Sequence, residues 1–126
     1  MTHQRPRPFA VIKIQKSAYD KPEPSDGRRT LVMTLWPRGI SKSEVDVWMR
    51  DLGSLRELIA RWKRGEVGRA EYVRGYAASL KGKGELLDEL ASDAKKSTVT
   101  LLSACRDPSL CHRSVLKKAI EKRMSS

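Results

Sequence analysis

Residues 98–124 read TVTLLSA, then CRDPSLCHR, then SVLKKAIEKRM, and this stretch decides the fold class. It predicts an apolar strand at 99–104, a loop that holds both cysteines of the chain, and a basic amphipathic helix. In an open α/β sheet, ligands bind beyond the carboxyl ends of the strands, where the N-termini of helices also point. We therefore expect an α/β protein with a candidate site at the cysteine loop.

Two more strands are predicted upstream. Residues 9–14 (FAVIKI) form the first. Residues 30–36 (TLVMTLW) form the second, whose nearly continuous apolar character is typical of a strand covered on both faces. The connection at 16–29 contains two prolines and the turn pair Asp26-Gly27. A loop of this length is often functional.

The segment between the second and third strands predicts four helices. The sequence SKSE at 41–44 fits a capping box, so we expect a helix from residue 41 to about residue 51. Apolar residues at helical spacing predict three more helices, at about 54–64, 70–80 and 85–96. The basic helix after the cysteine loop brings the expected total to about five.

This order of elements predicts a single small α/β domain at residues 9–126. We expect an about three-stranded, mainly parallel sheet packed with about five helices. A long helical crossover joins the second and third strands, so these two strands should be parallel. Residues 1–8 carry two arginines and two prolines and are interpreted as a flexible basic arm.

Composition narrows the class of protein. The chain has 126 residues and a formal net charge of +11. This charge favours binding of anions such as phosphorylated small molecules, nucleic acid or an acidic protein. Two cysteines are too few for a disulfide scaffold. No run has the length of a signal peptide's apolar segment or of a membrane span, so we expect a cytoplasmic protein without a membrane partner.

Several motifs resemble those of the DUF488 family, the uncharacterised group that includes the YeaO-like proteins. They are LWPRG at 35–39, Trp48, Trp62 and CHR at 111–113, and the resemblance covers nearly the whole chain with gaps. It implies a compact α/β domain with a cleft near LWPRG and CHR, and it implies no established activity. Members often carry an Asp-Arg pair before LWPRG, where this chain has Met33-Thr34.

The leading functional hypothesis is a cleft for a phosphorylated or otherwise anionic small molecule. Cys111 is the candidate catalytic thiol, because a helix N-terminus and nearby cations lower the pKa of a cysteine. Cations at strand and helix ends would bind the anion: Arg38, Arg113 and Arg29. Residues of the long loop, the strand end and the last helix would form the wall of the cleft: Asp20, Asp26, Trp36 and His112.

Other interpretations stay open. Cys105 and Cys111, with five residues between them, are a candidate redox pair, which would make the chain a partner-binding protein with a redox-sensitive loop. The basic helix and arm also suit a nucleic-acid-binding module without sequence-specific readout. The cysteine loop does not fit a phosphatase motif. That motif needs an arginine six residues after its cysteine, and the residue six positions after Cys105 is Cys111. We expect no cofactor and no metal. Whether the chain is an enzyme, and its oligomeric state, are open at this point.

Overall fold

A four-stranded parallel sheet is central to the computed structural model, which describes residues 11–54, 56–105 and 111–124. Its strands lie in the spatial order β1-β4-β2-β3. In chain order they are β1 (Ile12–Lys13), β2 (Arg28–Leu31), β3 (Val47–Trp48) and β4 (Val99–Leu102). The two central strands pair over their whole length, with Arg28 opposite Val99 and Leu31 opposite Leu102. Their carboxyl ends are therefore adjacent.

Four α-helices accompany the sheet in the described part of the chain. They are α1 (Arg56–Lys63), α2 (Arg69–Ser79), α3 (Gly84–Lys96) and α4 (His112–Met124). The chain thus has a single small α/β domain. None of these helices has both the length and the apolar composition that crossing a membrane would require.

Both faces of the sheet are covered, so β4 is buried at all four of its positions and β2 at three of its four. On one face Val99 and Leu101 pack in the main core with buried side chains of α2, α3 and α4. On the other face Leu31 and Leu102 pack in a smaller cluster with Ala18 and Ile40. Adjacent residues of a strand point to opposite faces, so Leu101 and Leu102 belong to different clusters.

The expected parallel pairing of the second and third predicted strands is confirmed by the β2–β4 ladder. The counts over the described residues differ from the prediction, with four strands instead of about three and four α-helices instead of about five. Strand bounds also differ: the second strand spans 28–31 instead of 30–36, and β4 ends at Leu102. Part of the first predicted strand, at 9–10, and the arm at 1–8 lie outside the described residues.

The helix predicted at 41–51 is wrong. The capping box does form, since Glu44 Oε1 accepts from the Ser41 backbone N–H at 2.8 Å. It closes only one 3₁₀ turn, Lys42–Glu44, and the chain then becomes the edge strand β3. Asp46 N–H donates to the Arg29 carbonyl at 2.8 Å, and Met49 N–H donates to the Leu31 carbonyl at 2.9 Å. Backbone groups on the free edge of β2 thereby gain partners, which a helix at 41–51 would not have supplied.

Candidate functional site

A pocket of about 550 Å³ lies beyond the carboxyl ends of β2 and β4, and we call it the strand-end pocket. Its floor comes from the residues that follow these two strands, and its walls come from α1, α2 and α4. The lining residues are Met33, Thr34, Leu35, Ser54, Arg56, Ile59, Trp62, Lys63, Tyr72, Ser103, Ala104, Cys105 and His112. This is the position at which open α/β sheets bind ligands, and its volume suits a small organic molecule.

One wall of the strand-end pocket is aromatic. The rings of Trp62 and Tyr72 stack with their centroids 4.3 Å apart. The Tyr72 hydroxyl and the Ser54 hydroxyl form a buried hydrogen bond of 2.6 Å, so each of these two polar groups has a partner within the protein. Burial raises the pKa of Tyr72 to about 12, so this phenol is neutral at physiological pH. The wall is therefore apolar and uncharged.

Two cations of α1 line the same pocket. Arg56, Ile59 and Lys63 occupy positions i, i+3 and i+7, which share one face of a helix. Arg56 and Lys63 are exposed, and neither pairs with an acidic side chain anywhere in the described ranges. The pocket thus combines an apolar interior with two cations that form no ion pair with a carboxylate of residues 11–54, 56–105 or 111–124.

The two cysteines come together at the edge of the pocket. Cys111 is 1% exposed, whereas Cys105 is exposed and lines the pocket. The sulfurs of Cys105 and Cys111 lie 3.6 Å and 3.5 Å from the Ser103 hydroxyl oxygen, so one hydroxyl contacts both. We call Cys105 and Cys111 the thiol pair.

Opposite pKa shifts distinguish the members of the thiol pair. The hydrogen bond from Cys105 is the largest influence on Cys111 and lowers its pKa far below the ordinary value; contacts with His112 and Ser103 act in the same direction against burial. The same hydrogen bond, together with burial, raises the pKa of Cys105. These directions favour the proton on Cys105 and the negative charge on Cys111. The sequence prediction of a low pKa for Cys111 rested instead on the helix end and the nearby cations.

His112 links the thiol pair to the strand ends. Its Nε2 lies 2.6 Å from the Val32 carbonyl oxygen, and because a carbonyl only accepts, Nε2 carries a proton. Its Nδ1 faces the Cys111 sulfur at 3.4 Å, and the ring packs edge-on against Tyr76 with centroids 5.0 Å apart. The imidazole is thus held between the end of β2 and the buried sulfur.

Arg113 is fully buried beside the thiol pair. Its Nε donates to the Cys111 sulfur at 3.4 Å, its Nη2 donates to the Cys105 carbonyl at 2.7 Å, and its Nη1 donates to the Lys16 carbonyl. The guanidinium therefore holds α4, the end of β4 and the loop after β1 together. Its predicted role in binding an external anion stays a prediction, and these three donors already have partners within the protein.

Arg29 and Asp26 form a buried ion cluster with Lys16, which we call the Asp26 cluster. Arg29 Nη1 and Lys16 Nζ lie 2.5 Å and 3.0 Å from the Asp26 carboxylate. Arg29 also donates through Nε to the Glu44 carbonyl at 2.6 Å and through Nη2 to the Asp20 carbonyl at 3.3 Å. The cluster braces the long loop against β2 and lies outside the strand-end pocket lining. Anion binding by Arg29 likewise stays a prediction.

The remaining predicted residues lie outside the lining of the strand-end pocket. Trp36 donates from its indole N–H to the Ile40 carbonyl at 2.8 Å and packs edge-on against Trp48 in a separate groove. Arg38 is exposed between Pro37 and Gly39, the latter at φ +82°. The structure therefore brings together Cys105, Cys111, His112 and Arg113, and it does not bring Arg38, Asp20, Asp26 or Trp36 into the same pocket.

Sequence reasoning did not single out most of the lining residues, among them Arg56, Trp62, Lys63 and Tyr72. The available signal was the shared helical face of Arg56, Ile59 and Lys63, in which two cations flank an apolar residue. The apolar spacing of α1 and α2 favours core positions for Trp62 and Tyr72, and their rings do pack against each other. Among the described residues, no three His, Cys, Asp or Glu side chains are grouped so that they could hold a metal ion.

Comparison of the amino-acid sequence with known proteins shows the family to which this chain belongs. Residues 12–126 match the model described as the inactive DUF488-N3 subclade. The chain is 36% identical over 103 residues to the uncharacterised protein YeaO of Escherichia coli (strain K12), covering 80% of this chain and 90% of YeaO. It is 32% identical over 108 residues to the uncharacterised protein Rv3073c of Mycobacterium tuberculosis (strain ATCC 25618 / H37Rv), covering 83% and 90% of the two chains. No solved structure matches significantly. The chain belongs to the DUF488 family, within its inactive DUF488-N3 subclade.

Proposed function

We propose that this protein binds a small organic anion with an apolar or aromatic body in the strand-end pocket. The observation that carries the proposal is an apolar pocket of about 550 Å³ at the ends of the two central strands, lined by two cations without acidic partners among the described residues. The apolar body would lie on the Trp62–Tyr72 wall. Arg56 and Lys63 would bind the anionic group, since charge-assisted hydrogen bonds are roughly twice as strong as neutral ones.

Binding without turnover is the form of this function that we favour. The matching subclade is described as inactive. The Asp-Arg pair that family members often carry ahead of LWPRG is Met33-Thr34 here, and Met33 and Thr34 both line the pocket. Cys111, the low-pKa thiol predicted to lie beside the ligand, is 1% exposed and is not a lining residue. A substrate in the pocket would meet few groups suited to acid–base chemistry.

Two fluorescent probes of similar size test the proposal. The anionic probe is 1-anilinonaphthalene-8-sulfonate, and the neutral probe is N-phenyl-1-naphthylamine. The double variant Arg56→Gln/Lys63→Gln should weaken binding of the sulfonate about tenfold or more, which corresponds to about 1.4 kcal/mol, and leave binding of the neutral probe unchanged. The matched control is Arg74→Gln/Lys95→Gln, which removes two exposed cations from other helices. Equal loss in both double variants would contradict a site at α1.

A variant that fills the strand-end pocket with a larger side chain tests where the probes bind. Ala104→Leu adds three carbon atoms to the pocket lining, whereas Ala78→Leu adds them to an exposed position of α2 outside the lining. The first variant should exclude both probes and the second should exclude neither. Retained binding in Ala104→Leu would place the probes elsewhere on the protein.

A second candidate function, nucleic-acid binding, rests on a different surface. A groove of about 640 Å³ between α2, α3 and α4 is lined by four basic residues: Lys81, Lys118, Lys122 and Arg123. Phosphate contacts would make the affinity for single-stranded DNA fall steeply with salt. Lys81→Gln/Lys118→Gln should reduce the slope of log affinity against log salt by roughly 1.4, about 0.7 for each lost contact. An unchanged slope would count against this groove.

A further inference from the structure

The thiol pair has an arrangement that a binding pocket does not need. Cys105 presents a sulfur at the pocket lining, and Cys111 holds a second sulfur 1% exposed behind it. Both sulfurs contact the Ser103 hydroxyl oxygen, at 3.6 Å and 3.5 Å. Two sulfurs on one hydroxyl, one of them reachable from solvent, form a dithiol within one chain.

The surroundings of Cys111 favour charge on the inner sulfur. Arg113 Nε donates to it at 3.4 Å, and His112 Nδ1 lies 3.4 Å away. No Asp or Glu lies among the side chains that hydrogen-bond to either sulfur in the described ranges, so these contacts leave a thiolate unopposed by like charge. The lowered pKa of Cys111 agrees with this geometry. A base for the outer thiol is therefore built into the pair.

We propose that Cys105 and Cys111 form a dithiol site that reduces a small hydroperoxide in a single turnover and closes to an intramolecular disulfide. The inference does not depend on a ligand in the strand-end pocket. It assigns Cys105 as the sulfur that meets the oxidant, because it lines the pocket. It assigns Cys111 as the sulfur that first accepts the proton and then closes the bond.

The first step transfers one oxygen atom from the hydroperoxide to the Cys105 sulfur. The Cys105 sulfur attacks one oxygen of the hydroperoxide while its proton passes to the Cys111 thiolate. An S–O bond forms, the O–O bond breaks, and hydroxide or alkoxide leaves. That leaving group takes the proton from Cys111, which gives water or an alcohol, a Cys105 sulfenic acid and a Cys111 thiolate.

In the second step the Cys111 thiolate attacks the Cys105 sulfur. An S–S bond forms, the S–O bond breaks, and hydroxide leaves. The two thiol sulfurs together lose two electrons, and the hydroperoxide gains them. Five residues separate the cysteines, so the disulfide closes a short loop of this chain.

Single cysteine variants test the assignment. Pre-reduced protein is treated with hydrogen peroxide, the remaining thiols are alkylated after denaturation, and the products are mapped by mass spectrometry. Wild-type protein should lose both thiols together and yield a 105–111 crosslink. Cys111→Ser lacks both the base and the second sulfur, so it should oxidise more slowly than wild type and stop at a Cys105 sulfenic acid that dimedone traps. Cys105→Ser should lose the reaction, because its remaining thiol is 1% exposed.

Other results would overturn the proposal. They are independent loss of the two thiols without a crosslink, a dimedone adduct on Cys111 in Cys105→Ser, or oxidation of Cys105→Ser at the wild-type rate. Circular dichroism of each variant before treatment shows that it is folded. If Cys111→Ser fails to fold, the wild-type crosslink and the Cys105→Ser result, in which an exposed thiol is replaced, still decide the outcome.

Discussion

Replacement of Asp26 by Asn should cost about 3–5 kcal/mol of unfolding free energy at neutral pH. Asp26 is 2% exposed and receives Lys16 Nζ at 3.0 Å, Arg29 Nη1 at 2.5 Å and the Glu23 backbone N–H at 3.0 Å. The amide removes the negative charge but keeps the volume, so the buried Arg29 guanidinium loses its only ion-pair partner within the described residues. Removing one partner of a buried ion pair typically costs about 3–5 kcal/mol.

Urea unfolding followed by circular dichroism measures this change. With an m-value of about 1.5 kcal/mol per M, the midpoint should fall by roughly 2–3 M. The control is Asp88→Asn, which breaks the exposed ion pair to Arg123 and should cost less than about 1 kcal/mol. Losses within about 1 kcal/mol of each other in the two variants would refute the assignment of the Asp26 cluster as a structural brace.

The pH dependence adds an independent check. Burial would raise the pKa of Asp26, but hydrogen bonds from Lys16, the Glu23 backbone and Arg29 outweigh it, so the pKa is lowered. A carboxyl whose folded pKa is depressed stabilises the fold fully above its unfolded pKa, about 3.9. That stability is lost as the pH falls through the folded pKa. The gap between wild type and Asp26→Asn should therefore be complete near neutral pH and shrink below about pH 4.

Two more predictions concern the turn before β2 and the thiol pair. Gly27→Ala should lower the urea midpoint far more than Gly65→Ala: both glycines have positive φ, at +63° and +76°, but a Cβ at Gly27 would lie 2.2 Å from the Thr98 carbonyl oxygen and one at Gly65 would meet open space. Equal midpoints would contradict this packing. Cys105→Ala should raise the pKa of Cys111, since it removes the largest lowering contribution; ultraviolet absorbance of the thiolate against pH measures the shift, and an unchanged titration would show that the helix end and cations suffice.

Local patterns predicted most of the helices well. The three helices expected at 54–64, 70–80 and 85–96 appear as α1, α2 and α3 with bounds within two residues. Their apolar residues recur at helical spacing, and their ends carry glycines or suitable charges, so neighbouring residues supply the information. The parallel β2–β4 pair was also predictable, because a long helical crossover leaves little alternative.

Residues 41–51 were mispredicted for a reason that lies elsewhere in the chain. The capping box is real, but it satisfies only one turn. Asp46 and Met49 then bond to Arg29 and Leu31, 17 and 18 residues away. A prediction from neighbouring residues cannot include the hydrogen bonds that the free edge of β2 offers. It therefore favoured continuation of the helix.

The structure brings some of the predicted site residues together and keeps others apart. The cysteine loop does lie at strand ends, and Cys105, Cys111 and His112 do come together. Arg29 and Arg113, however, are buried and donate to groups of the protein. Whether an arginine points outward or inward depends on the packing around it, which residue type and position along the chain do not reveal.

By itself, the sequence determined the fold class, the parallel central strands, three helix positions and the place of the cysteine loop after a strand, because these follow from local periodicity and chain connectivity. Only the tertiary structure decided that α1 places Arg56 and Lys63 in the same pocket lining as Cys105, and that both cysteine sulfurs contact the Ser103 hydroxyl. Residues 98–124 predict the strand and the helix and contain both thiols. Contacts between residues distant in sequence turn them into a pocket and a thiol pair, since burial and hydrogen bonding at close range set their charge.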